Sequence, residues 1–166
     1  MAIAQRKNGR FVIVFTLFVA LVLMVMPQPL WWRPYNPPWV MMVVIFWCLA
    51  IPDRIGIGVA WIVGLFIDAF PGSTFLGVNA LTFAVTAYIT LSLYQRIRVS
   101  PLIQQALTVF CLLLLYQFLI RWFDGFGDVI RKPFSIEFFY PPLVGFIVWP
   151  ALYFVLQGLT QRYKIS

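Results

Sequence analysis

One carboxylate, Asp68, falls within an apolar stretch of helix length, in a chain that has no histidine. The other acidic residues sit in evident loops. An acid inside a membrane span is unfavourable by roughly 2.5–3.5 kcal/mol on insertion scales, so its presence asks for a structural role or for direct chemistry. Chemistry needs partners that the sequence does not place nearby. It has no second carboxylate near Asp68, no cysteine beside a base and no glycine-rich phosphate loop. Cys48 and Cys111 lie far apart in apolar stretches, and without histidine the common zinc sets cannot be assembled. Both cysteines are expected to be packing residues, and no catalytic residue, metal or cofactor is expected. Asp68 is expected to accept hydrogen bonds from backbone N–H groups of the Pro71-Gly72-Ser73-Thr74 turn, or to fasten a neighbouring helix.

Asp68 belongs to a ridge. Gly56, Ala60, Gly64, Asp68 and Gly72 recur every four residues, a spacing that drifts only about 40° per step around a helix. Such a strip of small residues, with Gly77 beyond it, lets a second helix come close. Downstream, Asn79, Thr82, Thr86 and Thr90 form a polar stripe within an arc of about 80°. Hydrogen bonding between helices is its expected use, and a transport path is the other. Gln104, Gln105 and Thr108 mark one end of a later apolar stretch and Gln117 and Arg121 the other, where Arg121 is able to snorkel or to pair with Asp124. Segments 28–39 and 121–140 mix aromatics with Arg33, Arg131 and Lys132. Trp31, Trp32, Arg33, Trp122, Phe126 and Arg131 are the candidates for a partner surface, since aromatic and arginine side chains dominate such contacts. An ordinary interfacial aromatic belt has the same composition.

The elements that must carry these residues follow from composition. Of 166 residues 63% are hydrophobic and 10% charged, whereas a soluble domain carries about a quarter charged residues. Charges divide the chain into uncharged windows at 11–32, 34–52, 55–67, 69–95, 99–120 and 138–161. No room remains for a soluble domain, so soluble enzymes and nucleic-acid binders are excluded, and the net charge of +7 is read as a topology signal. The expected architecture is a single all-α integral membrane domain over 1–166 with six transmembrane helices, at about 11–27, 39–51, 55–70, 76–94, 101–122 and 138–158. Arg6, Lys7, Arg10, Arg54, Arg96, Arg98, Arg162 and Lys164 then lie on the cytoplasmic side with both termini, as the positive-inside rule requires. Arg33, Arg121, Arg131 and Lys132 lie outside. The third window is short, and its helix is expected to run on past Asp68. The first resembles a signal peptide without a small-x-small cleavage site and is expected to stay as a helix. Pro150 predicts a kink in the last helix.

The run Gly64-Leu65-Phe66-Ile67-Asp68-Ala69-Phe70-Pro71-Gly72-Ser73-Thr74-Phe75-Leu76-Gly77 resembles the signature of the rod shape-determining protein MreD family. Arg33-Pro34-Tyr35-Asn36-Pro37-Pro38-Trp39-Val40 and Phe46-Trp47-Cys48-Leu49-Ala50-Ile51-Pro52 are similar to the start and end of that family's second helix. Gln104-Gln105 and Val148-Trp149-Pro150 are similar to its proteobacterial members, so the resemblance covers nearly the whole chain. The double proline Pro37-Pro38 departs from the pattern and is expected to shift only a helix start. The resemblance implies a non-catalytic bacterial inner-membrane adaptor of lateral cell-wall elongation. It further implies an architecture similar to the substrate-binding subunit of energy-coupling-factor transporters. The implied partners are an MreC-like membrane protein and, indirectly, the MreB filament, the RodA glycosyltransferase and its penicillin-binding transpeptidase, within the lipid bilayer. A small-molecule-binding subunit of a membrane transporter is the alternative, favoured if Asp68 and the Asn79 to Thr90 stripe line a water-filled cavity.

Overall fold

The computed structural model describes residues 2–27, 29, 35–70, 77–124 and 136–162, with the side chains of 2–10 and 124 outside the description. These residues form six α-helices: α1 Ala2–Val25, α2 Trp39–Ala50, α3 Ile57–Asp68, α4 Val78–Val99, α5 Leu102–Asp124 and α6 Tyr140–Arg162. A 3₁₀ turn at Ile136–Phe139 leads into α6. No strand occurs among the described residues.

The centre of the bundle is α2. Its sequence from Val40 to Leu49 is apolar on every side, and every one of those residues is buried, as expected for a helix hydrophobic all round. It packs against α1, α4, α5 and α6, while α3 packs chiefly on α4. The tight turn expected at Pro52-Asp53-Arg54 forms, with the Arg54 and Ile55 N–H groups both donating to the Ile51 carbonyl. At the next joint on that side, Gln105 Nε2 donates to the Ile97 carbonyl at 2.8 Å, so a side chain of α5 satisfies a carbonyl at the fraying end of α4.

The α1–α2 contact is fixed by one polar pair. Trp47 Nε1 donates to Thr16 Oγ1 at 2.9 Å, and that hydroxyl donates onward to the Ile13 carbonyl at 2.9 Å. A buried indole N–H needs an acceptor, and Thr16 is the single polar residue in the run from Phe11 to Met26.

Three expectations about the elements are corrected. First, α1 begins at Ala2 rather than near 11; Gln5, Arg6 and Lys7 are good helix formers and nothing at their positions breaks the helix. Second, α4 runs on to Val99 and carries Arg96 and Arg98 in its last turn, where cations meet the negative end of the helix dipole. Third, α3 stops at Asp68 instead of running past it. Pro71 disfavours helix in the residue before it, and the Asp68 side chain is engaged elsewhere. The twelve residues of α3 rise about 18 Å, short of a hydrocarbon core of about 30 Å. Pro150 lies within α6, which runs unbroken through it.

Two helical stretches are long and apolar enough to cross a bilayer, Leu102–Phe123 and Ile136–Arg162. Phe11–Val25, Trp39–Ala50 and Ile57–Asp68 are apolar but shorter. Only 33% and 17% of an apolar 18-residue window in each is buried, the reverse of a soluble core helix. Ile103, Leu107, Ile147, Phe154 and Val155 all point outward, a surface that suits lipid and not water.

Candidate functional site

The densest polar arrangement joins the end of α3 to the start of α4. Asp68 is 4% exposed and is the single charged side chain buried among the described residues. Its Oδ2 accepts from the Gly77 N–H at 3.0 Å and the Ala80 N–H at 3.0 Å. Its Oδ1 accepts from the Asn79 N–H at 3.1 Å and from Asn79 Nδ2 at 3.0 Å. The first N–H groups of a helix have no partner within it, and a serine, threonine, aspartate or asparagine just before the helix usually supplies one. The residue before α4 is Gly77, which has no side chain to do so. Asp68 does that work from the preceding helix, with a full negative charge at the positive end of the α4 dipole.

Close approach makes the reach possible. Ala60 is fully buried, and Gly64, one turn before Asp68, is buried as well. A Cβ placed on Gly64 meets Ala80 Cα at 2.6 Å, the Asn79 carbonyl oxygen at 2.6 Å and the Ala80 nitrogen at 2.8 Å. All are backbone atoms. Glycine is therefore required at 64, because any side chain forces the α4 backbone away and takes the N–H groups out of reach of Asp68. Gly77 contributes differently: its φ of +101° is left-handed, a region open to glycine and strained for other residues. It turns the chain so that its own N–H and those of Asn79 and Ala80 converge on one carboxylate.

The remaining ridge positions differ from one another. Gly56 precedes the first turn of α3 with open space where a Cβ would go, so the close contact does not extend to it as the four-residue repeat predicts. Gly56 is the residue just before α3 begins. Gly72 and the Pro71-Gly72-Ser73-Thr74 turn lie outside the described residues, and the bonds described here for Asp68 run to the neighbouring helix.

The stripe on α4 is buried but works within its own helix. Thr82, Thr86 and Thr90 are each 0% exposed. Their hydroxyls donate to the carbonyls of Val78, Thr82 and Thr86, four residues back, at 2.7, 2.8 and 2.8 Å. The expectation that they bond across helices is corrected: a threonine on a helix has a carbonyl within reach one turn back, so no second helix is needed. Asn79 is the stripe residue that reaches across, to Asp68. Of the cysteines, Cys48 is buried in α2 and Cys111 is exposed on α5, so the packing expectation fails for Cys111. No group of three or more metal-ligating residues occurs among the described residues.

A cavity of about 570 Å³ opens at the end of the bundle where α2 and α6 begin and α5 ends. Phe83, Val40, Met41 and Ile120 give it apolar walls, and Asn36, Gln117, Arg121 and Glu137 give it polar ones. The Arg121 guanidinium lies over the Phe138 ring, 4.9 Å from its centroid; the Asp124 side chain, its expected partner, lies outside the described residues. Tyr35 stacks on Tyr140 at 4.9 Å and Trp39 Nε1 donates to Asn36 Oδ1 at 2.9 Å, ordering the same end. Of the partner-surface candidates, Trp122 is 57% exposed on α5. Trp31, Trp32, Arg33, Phe126 and Arg131 lie outside the described residues.

An all-helical bundle with outward-facing apolar helices, whose one buried charge among the described residues holds two helices together, is a membrane protein. The profile of the rod shape-determining protein MreD family matches residues 5–163, and the chain belongs to that family. It is similar to the rod shape-determining protein MreD of Haemophilus influenzae, with 29% identity over 162 residues, 93% of this chain and 94% of that relative. No solved structure gives a significant match.

Proposed function

We propose that the chain is a non-catalytic inner-membrane adaptor of the rod-shape elongation complex, helping to organise lateral peptidoglycan synthesis. The observation that carries this reading is the family match over residues 5–163. The geometry is consistent with it, since the buried carboxylate is committed to backbone N–H groups and serves the fold. A protein of this build acts through helix faces and short loops. An MreC-like membrane protein is the direct partner in this reading; the MreB filament, the RodA glycosyltransferase and the penicillin-binding transpeptidase are reached through it. The alternative of a small-molecule-binding transporter subunit gains no support from the family match.

The proposed topology has six spans with both termini in the cytoplasm. The distribution of Lys and Arg supports it. For α3 it needs the segments flanking the helix to share the bilayer, because the helix alone is short.

Two measurements test the reading. A tagged chain solubilised in mild detergent is expected to retain an MreC-like protein, and loss of that protein under conditions that keep the bundle folded contradicts the adaptor role. Alkaline phosphatase fused after Ser166 is expected to be inactive, and a fusion near Asn36 active; an active fusion after Ser166 sinks the six-span topology.

A further inference from the structure

We infer that the cavity between α2, α5 and the start of α6 is a binding site for a zwitterionic phospholipid, with the phosphate on Arg121, the head-group amine toward Glu137 and an acyl chain against Phe83 and Met41. The volume of about 570 Å³ lies within the range of ordinary ligand pockets, about 300–1,000 Å³. It has room for a head group and the upper part of one chain, while the rest of the lipid stays in the bilayer. The walls divide by polarity as an amphiphile does: Phe83, Met41, Ile120 and Pro141 supply apolar lining, and Arg121 and Glu137 both line the cavity.

Charge selects the head group. Arg121 has Phe138 as an aromatic neighbour and, among the described residues, no carboxylate within ion-pair distance. A guanidinium in a bilayer setting, stacked on a ring and lining a cavity, is matched by phosphate, to which its planar fork donates two hydrogen bonds. Glu137, exposed on the 3₁₀ turn beside Phe138, adds a negative charge to the same cavity wall. It disfavours a head group with net negative charge and favours one that adds an ammonium. The occupant is taken from the bilayer because lipid is the medium around this bundle and offers that combination at high concentration. This assignment does not depend on the adaptor reading.

The test uses the full chain in detergent, with bound lipid measured by native mass spectrometry after addition of dioleoyl phosphatidylethanolamine, dioleoyl phosphatidylglycerol, phosphoethanolamine or inorganic phosphate. The wild type is expected to hold phosphatidylethanolamine in preference to phosphatidylglycerol. Arg121→Gln is expected to weaken that retention about tenfold, the order of one charge-assisted hydrogen bond. Gln117→Trp, which fills the cavity from a half-buried position, is expected to abolish it. Glu137→Gln, at an exposed position that the fold does not depend on, is expected to shift the preference toward phosphatidylglycerol. Retention unchanged in Arg121→Gln and Glu137→Gln overturns the site. Binding of phosphoethanolamine or phosphate as tightly as the lipid overturns the lipid assignment in favour of a soluble phosphate.

Discussion

Two helix pairs in this bundle each bring a glycine against a neighbour, and they do so in opposite ways. At the α3–α4 contact, Gly64 faces backbone atoms of Asn79 and Ala80, and the pair is then bolted by Asp68 onto the N–H groups that open α4. At the α5–α6 contact, Gly145 faces the end of the Leu113 side chain, with a Cβ falling 2.5 Å from Leu113 Cδ1. Packing holds that second pair: Phe110 meets Phe146 edge to face at 6.2 Å, and no hydrogen bond between the two helices is described. A backbone cannot move without taking its helix along, whereas a leucine is able to change rotamer. The same residue type at two interfaces is therefore an absolute requirement at one and a preference at the other.

The largest expected effect follows from that difference. Gly64→Leu should destabilise the bundle by about 3 kcal/mol or more, because overpacking against backbone also removes the bonds to Asp68. Folded yield of a fluorescent fusion, read by size-exclusion chromatography, is expected to collapse. Ile62→Leu, at a residue 49% exposed on another face of α3, should leave yield unchanged, and equal yields for the two variants would break the comparison outright.

Next in size is Asp68→Asn. The amide keeps the shape of the side chain but loses the charge, and it turns an NH₂ group toward N–H donors. A loss of about 2–4 kcal/mol is expected, since buried donors are left without an acceptor and the dipole without its anion. Unfolding in a titration of sodium dodecyl sulfate gives the measurement. A loss below about 1 kcal/mol would mean that Gly64 packing alone joins the two helices.

How far these contacts were legible in the sequence depends on what each one uses. The ridge at Ala60, Gly64 and Asp68 is a matter of spacing on one helix, and spacing is written in the chain. The cap is not. A reader looking for the residue that opens α4 finds Gly77, which has no side chain, while the capping group sits nine positions earlier, on an element whose orientation is a tertiary fact. Gly56 shows the converse, because the four-residue repeat continues to a position before the helix begins, where a Cβ would meet nothing within 4 Å. The threonines were legible as a stripe but not in their bonding, since a hydroxyl that satisfies itself one turn back looks the same in sequence as one that reaches across. The Trp47–Thr16 bond does have a signal in the chain: an indole in one apolar stretch and a single hydroxyl in another. The cavity had none, because its walls come from five separate stretches of chain.

Gly145→Ala sharpens the comparison from its weak side. The added methyl meets Leu113 Cδ1 and lies 3.6 Å from Met42 Sδ, both ends of flexible side chains. Rotation of Leu113 accommodates it, and replacing a helix glycine recovers about 1 kcal/mol of propensity. The net change should lie within about 1 kcal/mol of zero in the same unfolding assay, in either direction. A loss comparable to that of Gly64→Leu would show that α5 and α6 are held as rigidly as α3 and α4.

The smallest effect is expected at Thr86→Val, in the middle of the buried stripe. Valine matches threonine in shape, and the hydroxyl it replaces donates to the Thr82 carbonyl of its own helix at 2.8 Å. That carbonyl also receives the backbone bond of the helix, so removing the hydroxyl leaves no buried group stranded. Valine, for its part, adds apolar surface to a site that is 0% exposed. The change should stay within about 0.5 kcal/mol of wild type, below the average of about 0.6 kcal/mol measured for hydrogen bonds between membrane helices. The outcome separates two kinds of buried polar group in one helix: Asn79, whose side chain bonds to a neighbouring helix, and Thr86, whose side chain bonds to its own. If Thr86→Val instead weakens the bundle as much as Asp68→Asn, the stripe holds helices together after all, and the distinction between the α4 N-terminus and its middle disappears.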